Sequence, residues 1–377
     1  MIMAKEKRGL TNEILFLVII EGFLLYGVAM ELIEHPGWLY TYPYLFLMLL
    51  AGIRICMQGN SIKEWAFVLC MGVIALFSYM GSHDRSALVI ALVICCTKNV
   101  RLEKLVKLDF AVRLLSGIPY IVLPFIGMIP NHIKVMVGGR SRTFFGWYHP
   151  NGMGKSMMLI CMEWCYLRHG RFRWYDYAGM AGLVAFLDVT ANSRTSELLI
   201  LGLLFWEAFS TALRKYNKDT CAVWTFLTSA ALGGAVALPV FAVLFFEKFS
   251  NVILERMGTV GSRLHLTWSF VQVHGITLFG SSYTPGSDEY LDMLFANAVF
   301  RQGYVFGLIL IGLSILAVWY AYRKRDERYL LLLFVFFAYG MMESEHLNPI
   351  YAFFPLLLGI PVFDQKDEER VQEAGKG

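Results

Sequence analysis

The chain has 377 residues, 57% of them hydrophobic and only 16% charged, with a mean hydropathy of +0.54. A soluble domain carries about a quarter of its residues as Asp, Glu, Lys and Arg, so this composition excludes one and points to a polytopic membrane protein. The formal net charge of +4 gives no support to a nucleic-acid partner, because in such a chain the placement of charge matters more than its sum.

From the N-terminus, a basic start (Lys5, Lys7, Arg8) precedes an apolar run near Ile14 to Leu32 that lacks a small-residue cleavage site and is followed by more spans. It reads as a retained helix and not as a signal peptide. Apolar runs of the roughly 20 residues that cross a bilayer then recur. Spans are expected at about 12–33, 40–57, 64–81, 85–98, 108–129, 151–168, 175–191, 196–213, 221–246, 303–322, 329–343 and 349–363. The expectation is an all-α, polytopic integral membrane protein of about 12 transmembrane helices, with one membrane domain over 1–363 and a charged tail over 364–377.

Basic residues gather in alternate loops: Lys5/Lys7/Arg8, Lys63, Lys98/Arg101/Lys104/Lys107, Arg168/Arg171/Arg173, Arg214/Lys215/Lys218 and Arg323/Lys324/Arg325/Arg328. The positive-inside rule places these loops, both termini and the tail in the cytoplasm. The loop ending in His149, the "NSRTSE" segment (Asn192 to Glu197) and a long polar segment of about 248–302 between spans nine and ten then face outward. The seven cysteines lie in spans or at cytoplasmic ends, so no disulfide framework is expected. Cys161, Cys165 and His169 follow one another at single-turn spacing but lack a fourth ligand, and read as packing and not as a metal site.

Several outer arginines run against the charge bias: Arg140 and Arg142 before span six, Arg194 after span seven, Arg256 and Arg263 in the long segment. Snorkelling to lipid phosphates explains any one of them. A diphosphate-bearing ligand explains the convergence of three segments, because a guanidinium holds two phosphate oxygens at once and keeps its charge. In "TVGSRLHLTWSF" (Thr259 to Phe270), Arg263, Leu264, Leu266 and Trp268 fit an amphipathic helix lying on the outer surface. His265 in that run is either a proton acceptor near neutral pH or a solvated histidine without a role.

Acidic candidates are Asp288, Glu289 and Asp292 in "GSDEYLDMLFANAVFRQG", and Glu343 and Glu345 in "MMESEHLNPI", where His346 also lies. A carboxylate with a raised pKa can deprotonate a sugar hydroxyl; charges beside a helix end are also ordinary solvated groups. Glu21 and Glu207 fall inside spans, where they pair with Arg54 or polar neighbours, or else line a transport pathway. Outer aromatics such as Trp38, Tyr40, Trp147 and Tyr148 fit an interfacial belt. His149 to Asn151 read chiefly as architecture: Pro150 suits the first turn of span six, and Asn151 is placed to satisfy backbone groups exposed there. The absence of a Walker loop, a dinucleotide fingerprint and a His-Glu-x-x-His motif weighs against a cytosolic nucleotide-dependent reaction.

"RTFFGWYHPNGMG" resembles the Arg-x-x-x-Gly, His-Pro-Asn and Gly signature of the O-antigen ligase and polymerase superfamily, and "TANSRTSELL" resembles its Ser-Arg-Thr segment. "ERMGTVGSRLHLTWSF…TLFGSS" and "LDMLFANAVFRQG" are similar to later passages of Wzy-type capsule and exopolysaccharide polymerases, although Met293 stands where those polymerases carry Asn. The resemblance covers about residues 130–350, in order. It implies a GT-C-like, metal-independent and cofactor-free glycosyltransferase of the bacterial cytoplasmic membrane, with its site facing outward. The reaction would join oligosaccharide repeat units carried on undecaprenyl diphosphate, with inversion and with lipid diphosphate as leaving group. A flippase and a chain-length regulator are the implied partners.

Under the same resemblance Arg194 and Arg263 match the diphosphate-binding arginines, and Arg142 is a third candidate. The base is Asp292 or His265, or the role of these residues is positioning alone; His149, Asn151, Glu343 and His346 bind substrate or hold structure. The rivals are a ligase passing glycan to another acceptor, and a transporter or flippase of the same lipid-linked sugars.

Overall fold

The computed structural model describes residues 2–32, 37–135, 141–216, 219–284 and 289–364, without the side chains of 2–10, 31–32 and 37–40. Arg140, Lys218, Asp288 and the tail over 365–377 lie outside the described residues, as do the side chains of Lys5, Lys7, Arg8, Trp38 and Tyr40.

The chain runs through α1 (Ile2–Leu32), α2 (Gly37–Met57), α3 (Ile62–Ser82), α4 (Ser86–Cys95) and α5 (Leu102–Phe125) into a two-stranded hairpin, β1 (Ile133–Val135) and β2 (Ser141–Thr143). There follow α6 (Pro150–Arg168), α7 (Trp174–Val189), α8 (Arg194–Lys215), α9 (Thr220–Arg256) and α10 (Gly258–His274). A short α11 (Leu294–Ala296) passes into a π-helical turn over Asn297–Arg301, and α12 (Tyr304–Lys324), α13 (Glu327–Gly340) and α14 (Phe354–Phe363) complete the bundle. The strands pair antiparallel, Lys134 opposite Arg142.

Each apolar run read from the sequence falls on a helix, with shifted ends. The run expected over 221–246 continues to Arg256 because Phe246 and Ile253 are buried against α10, so the first residues of the long polar segment are helical. The last run becomes helical only at Phe354, where Pro355 fits the first turn.

Six described helices are long and apolar enough to cross a bilayer: Thr11–Met30, Ile62–Ser82, Leu102–Phe125, Arg194–Lys215, Thr220–Arg256 and Tyr304–Lys324. Their outward faces are apolar. On α3, Leu69, Val73, Leu76 and Met80 follow helical spacing and are all at least half exposed. Water tolerates such a continuous stripe poorly, whereas lipid tails match it. At the centre is α13, whose run Leu330–Leu333 is fully enclosed by its neighbours, among them α6 and α9.

The two ends of the bundle differ. At one, the basic loops come together: Arg328 lies 3.7 Å from Glu103 and over the Tyr166 ring, Arg214 pairs with Glu327 at 2.7 Å, and Lys104 pairs with Glu13 at 3.0 Å. Glu207 also turns to this end, where His169 Nδ1 lies 2.6 Å from its carboxylate. It does not pair with Arg54, and neither does Glu21. The Arg54 guanidinium instead donates to the carbonyl of Asn12 within α1 and to those of Cys96 and Lys98 at the end of α4, where a basic residue suits the exposed carbonyls. At the opposite end lie the hairpin, the start of α6, α10 and the turn after α13.

Gly154 sets how closely α6 and α8 approach. A Cβ there would stand 2.4 Å from Ser193 Cβ and 2.8 Å from Ser196 Oγ, whereas one at Gly152 would meet only Trp147 at 3.7 Å. We expect Gly154→Ala to destabilise the protein by about 1–3 kcal/mol through overpacking, and Gly152→Ala to leave it unchanged or slightly more stable. Thermal unfolding of the detergent-solubilised variants checks this; equal midpoints for the two would refute the close-approach role.

Candidate functional site

The segment before α6 is a packed corner and not a loose loop. Gly146 donates its N–H to the Tyr120 carbonyl at 2.8 Å, and a Cβ at this position would overlap Ile129 and Tyr120. Trp147 stacks on Tyr120 with ring centres 4.6 Å apart. These contacts fix the direction in which the chain enters α6. His149 then caps the helix, its Nδ1 accepting from the Asn151 N–H at 3.2 Å, and Pro150 occupies the first turn.

Because the imidazole does the capping, the Asn151 side chain is free for another partner. Its Nδ2 donates to Glu343 Oε1 at 2.9 Å, across 192 residues of sequence. The capping role expected for the Asn151 side chain therefore belongs to His149.

Glu343 is also the principal partner of Arg263. The arginine projects inward from α10 and is 8% exposed. Its Nη2 donates to Glu343 Oε1 at 2.6 Å, its Nε donates to the Met342 carbonyl, and Asp292 Oδ2 stands 3.4 Å from Nε. The Ser344 hydroxyl donates to the Leu291 carbonyl at 2.8 Å, tying the two acidic segments together. Burial pushes the Glu343 carboxyl up to about 7, against the pull of Arg263 and with the push of Asp292 and Glu345. Asp292 is raised for the same first reason, with Arg263 opposing.

Lys155, one turn into α6 from Asn151, forms an ion pair with Glu345 and lies 3.9 Å from the centre of the Tyr351 ring. Its charge holds the Glu345 carboxyl below the usual range. Apolar neighbours hid this lysine in the sequence; its one signal was a cation close to the start of an apolar span.

Arg142 and Arg194 form a neighbouring positive patch. Arg142, on β2, reaches toward Asn192 Oδ1 at 3.5 Å. Arg194 opens α8, is exposed, and acts with Arg142 on the nearby Glu197 charge. Ser193 gives no side-chain cap, so the first-turn N–H groups of α8 are without that partner. His149 links the two patches. Burial, chiefly, and then the charge of Lys134 lower its pKa; Glu345 opposes them, and Arg142 and Lys155 add to the lowering.

Two candidates stand apart. His265 is exposed and lies against Phe246 and Trp268, with ring centres 5.4 and 6.1 Å away. His346 is fully buried among Phe336, Tyr339 and Phe354. Burial drives its pKa down to about 3, which keeps it neutral. No group of three or more His, Cys, Asp or Glu side chains suited to a metal occurs among the described residues. The site thus combines a half-buried and an exposed arginine beside a helix N-terminus with a buried arginine–carboxylate cluster, which is equipped to hold an anion and to accept a proton. Comparisons with known protein families, curated proteins and solved structures find no match to this chain.

The shifted carboxyl fixes a pH dependence. An ordinary glutamate releases its proton near 4.5, whereas folded Glu343 holds it to about 7, so between these values the folded state binds more protons and stability falls as pH rises. Asp292 acts in the same direction and Glu345 in the opposite one, at lower pH. His149 and His346, whose values are lowered, act the other way in both proteins, so across this window the unfolding midpoint of the wild type should fall relative to that of Glu343→Gln. An unchanged slope in the variant would show that another group is responsible.

Proposed function

We propose that the chain is a glycosyltransferase of the bacterial cytoplasmic membrane that joins oligosaccharide repeat units carried on undecaprenyl diphosphate, working on the extracytoplasmic face of a bundle of about 12 transmembrane helices. The observation that carries this reading is the convergence, at the end of the bundle away from the basic loops, of Arg142, Arg194 and Arg263 with Asp292 and Glu343. The positive-inside bias makes that end the outer one.

In this reading Arg142, Arg194 and the first turn of α8 hold the donor diphosphate. Arg263 fixes Asp292 beside the acceptor. The acceptor hydroxyl oxygen bonds to the anomeric carbon as the bond from that carbon to the diphosphate oxygen breaks. The leaving lipid diphosphate keeps the electron pair, the hydroxyl proton passes to Asp292, and the configuration inverts. Cations oriented on the departing diphosphate lower the barrier as charge develops there. Asp292 is preferred to His265 as base because it shares the cluster with Arg263, whereas the histidine faces away.

A gel of products from purified protein, lipid diphosphate-linked repeat units and EDTA tests the proposal. We expect the wild type to give a ladder of chain lengths. Arg194→Ala, at an exposed position that should leave the fold intact, should slow it about 10²–10³-fold, the usual cost of removing one charge-stabilising donor. Intact repeat units with folded wild-type protein would overturn the polymerase reading in favour of a ligase or a transporter.

A further inference from the structure

Four ionisable side chains meet inside the helix bundle, about two turns into α5 and about one and a half turns before the basic end of α6. Asp109 and Arg113 lie one turn apart on α5, Glu163 projects from α6 and Glu21 from α1, and each is at least nine-tenths buried. Arg113 Nε donates to Asp109 Oδ2 at 2.8 Å and to Glu163 Oε1 at 3.0 Å, so two carboxyls converge on one N–H. Glu21 adds a third. Its electrostatic neighbours are Asp109 and Arg113, and neither of its oxygens has a hydrogen-bond partner among the described residues. Glu163 Oε2 is likewise unpartnered.

Three carboxyls and one guanidinium leave a net charge of −2 if all are ionised. Charge is expensive at membrane depth, and buried acids there are balanced by a partner or by bound hydrogen ions. The other titratable group facing Glu163 is the Cys161 thiol on α6, which supplies no positive charge. The oxygens without a partner are therefore the places where a proton can reside.

The cluster is also connected to one end of the bundle. A cavity of about 50 Å³, room for a few waters, lies between α1, α5 and α6 and is lined by Leu24, Val28, Arg113, Gly117, Lys155 and Ile160, among others. Arg113 belongs both to the cavity wall and to the cluster. Glu21 lies one helical turn from Leu24, and Glu163 one turn from Ile160, on the side away from Lys155. The opposite limit of the cavity, at Lys155, adjoins Glu345 of the candidate site.

We propose that Glu21, Asp109 and Glu163, arranged around Arg113, form an intramembrane proton-binding site that exchanges protons with the Lys155 end of the bundle through the α1–α5–α6 cavity. This site does not depend on the glycosyltransferase reading. Protons bound here pass between carboxyl oxygens and water with no bond change other than at O–H.

Infrared spectroscopy of the full-length protein in lipid nanodiscs tests it. At about pH 7 an ordinary carboxyl is ionised, and Glu343, with its value of about 7, is removed by carrying Glu343→Gln in every protein compared. This background protein should still give the carbonyl band of a protonated, buried carboxylic acid, and the band should shift on transfer to D2O. Glu21→Gln and Glu163→Gln should each weaken or remove it. Gly117→Leu, at a cavity-lining position where a Cβ meets nothing within 4 Å, should keep the band and slow its shift about tenfold or more. Absence of the band in the folded background protein, its persistence in both carboxyl variants, or an unaltered exchange rate in the Gly117 variant would overturn the proposal. Loss of the band on replacing K+ by Na+ would overturn it too, by identifying a metal cation as the occupant.

Discussion

A guanidinium withdrawn from water must be balanced on the spot, and the end of the bundle that carries Arg263 is organised by that requirement. Arg263 is 8% exposed, and its charge is met by Glu343, Asp292 and the Met342 carbonyl. Removing one member of such a buried pair typically costs about 3–5 kcal/mol, because the other is left uncompensated. The pairing pins α10 to the turn after α13, and Glu343 extends it to α6 through Asn151. One balanced charge thereby joins segments that are 80 to 192 residues apart.

The bilayer supplies the second constraint. With lipid outside, apolar side chains are tolerated on the surface, and the polar groups must satisfy one another or collect at the two ends. Both outcomes occur here. The basic loops gather at one end through Arg214, Arg328 and Lys104, while the arginine–carboxylate cluster occupies the other. A positive end and a chemically equipped end can then be maintained by one helical scaffold without a separate soluble domain.

The helices were legible in the sequence because an apolar run of membrane length has few alternatives. Their ends were less so. The extension of α9 to Arg256 depends on Phe246 and Ile253 meeting α10, a contact that no local pattern encodes. The candidate site was legible as a set of residue types but not as a set of partners. Arg263 and His265 are two residues apart, and a helix turns about 200° between such positions, so one enters the cluster while the other faces outward. Asn151 was identified as important for the wrong bond, since its partner Glu343 lies far along the chain. Lys155 was concealed by its apolar neighbours, and Glu21, for which the sequence offered Arg54 or polar neighbours, lies beside Asp109 and Arg113 while Arg54 satisfies backbone carbonyls.

The central functional claim is that the end holding Arg142, Arg194 and Arg263 binds a lipid diphosphate. The most direct measurement is a cryo-EM map of the protein in nanodiscs with an unreactive phosphonate analogue of a lipid diphosphate-linked sugar. The account predicts density for the two phosphorus centres beside Arg142, Arg194 and the first turn of α8, with the sugar toward Asp292. Diphosphate density at the opposite end, against Arg214 and Arg325, or no ordered headgroup at saturating analogue, would contradict it.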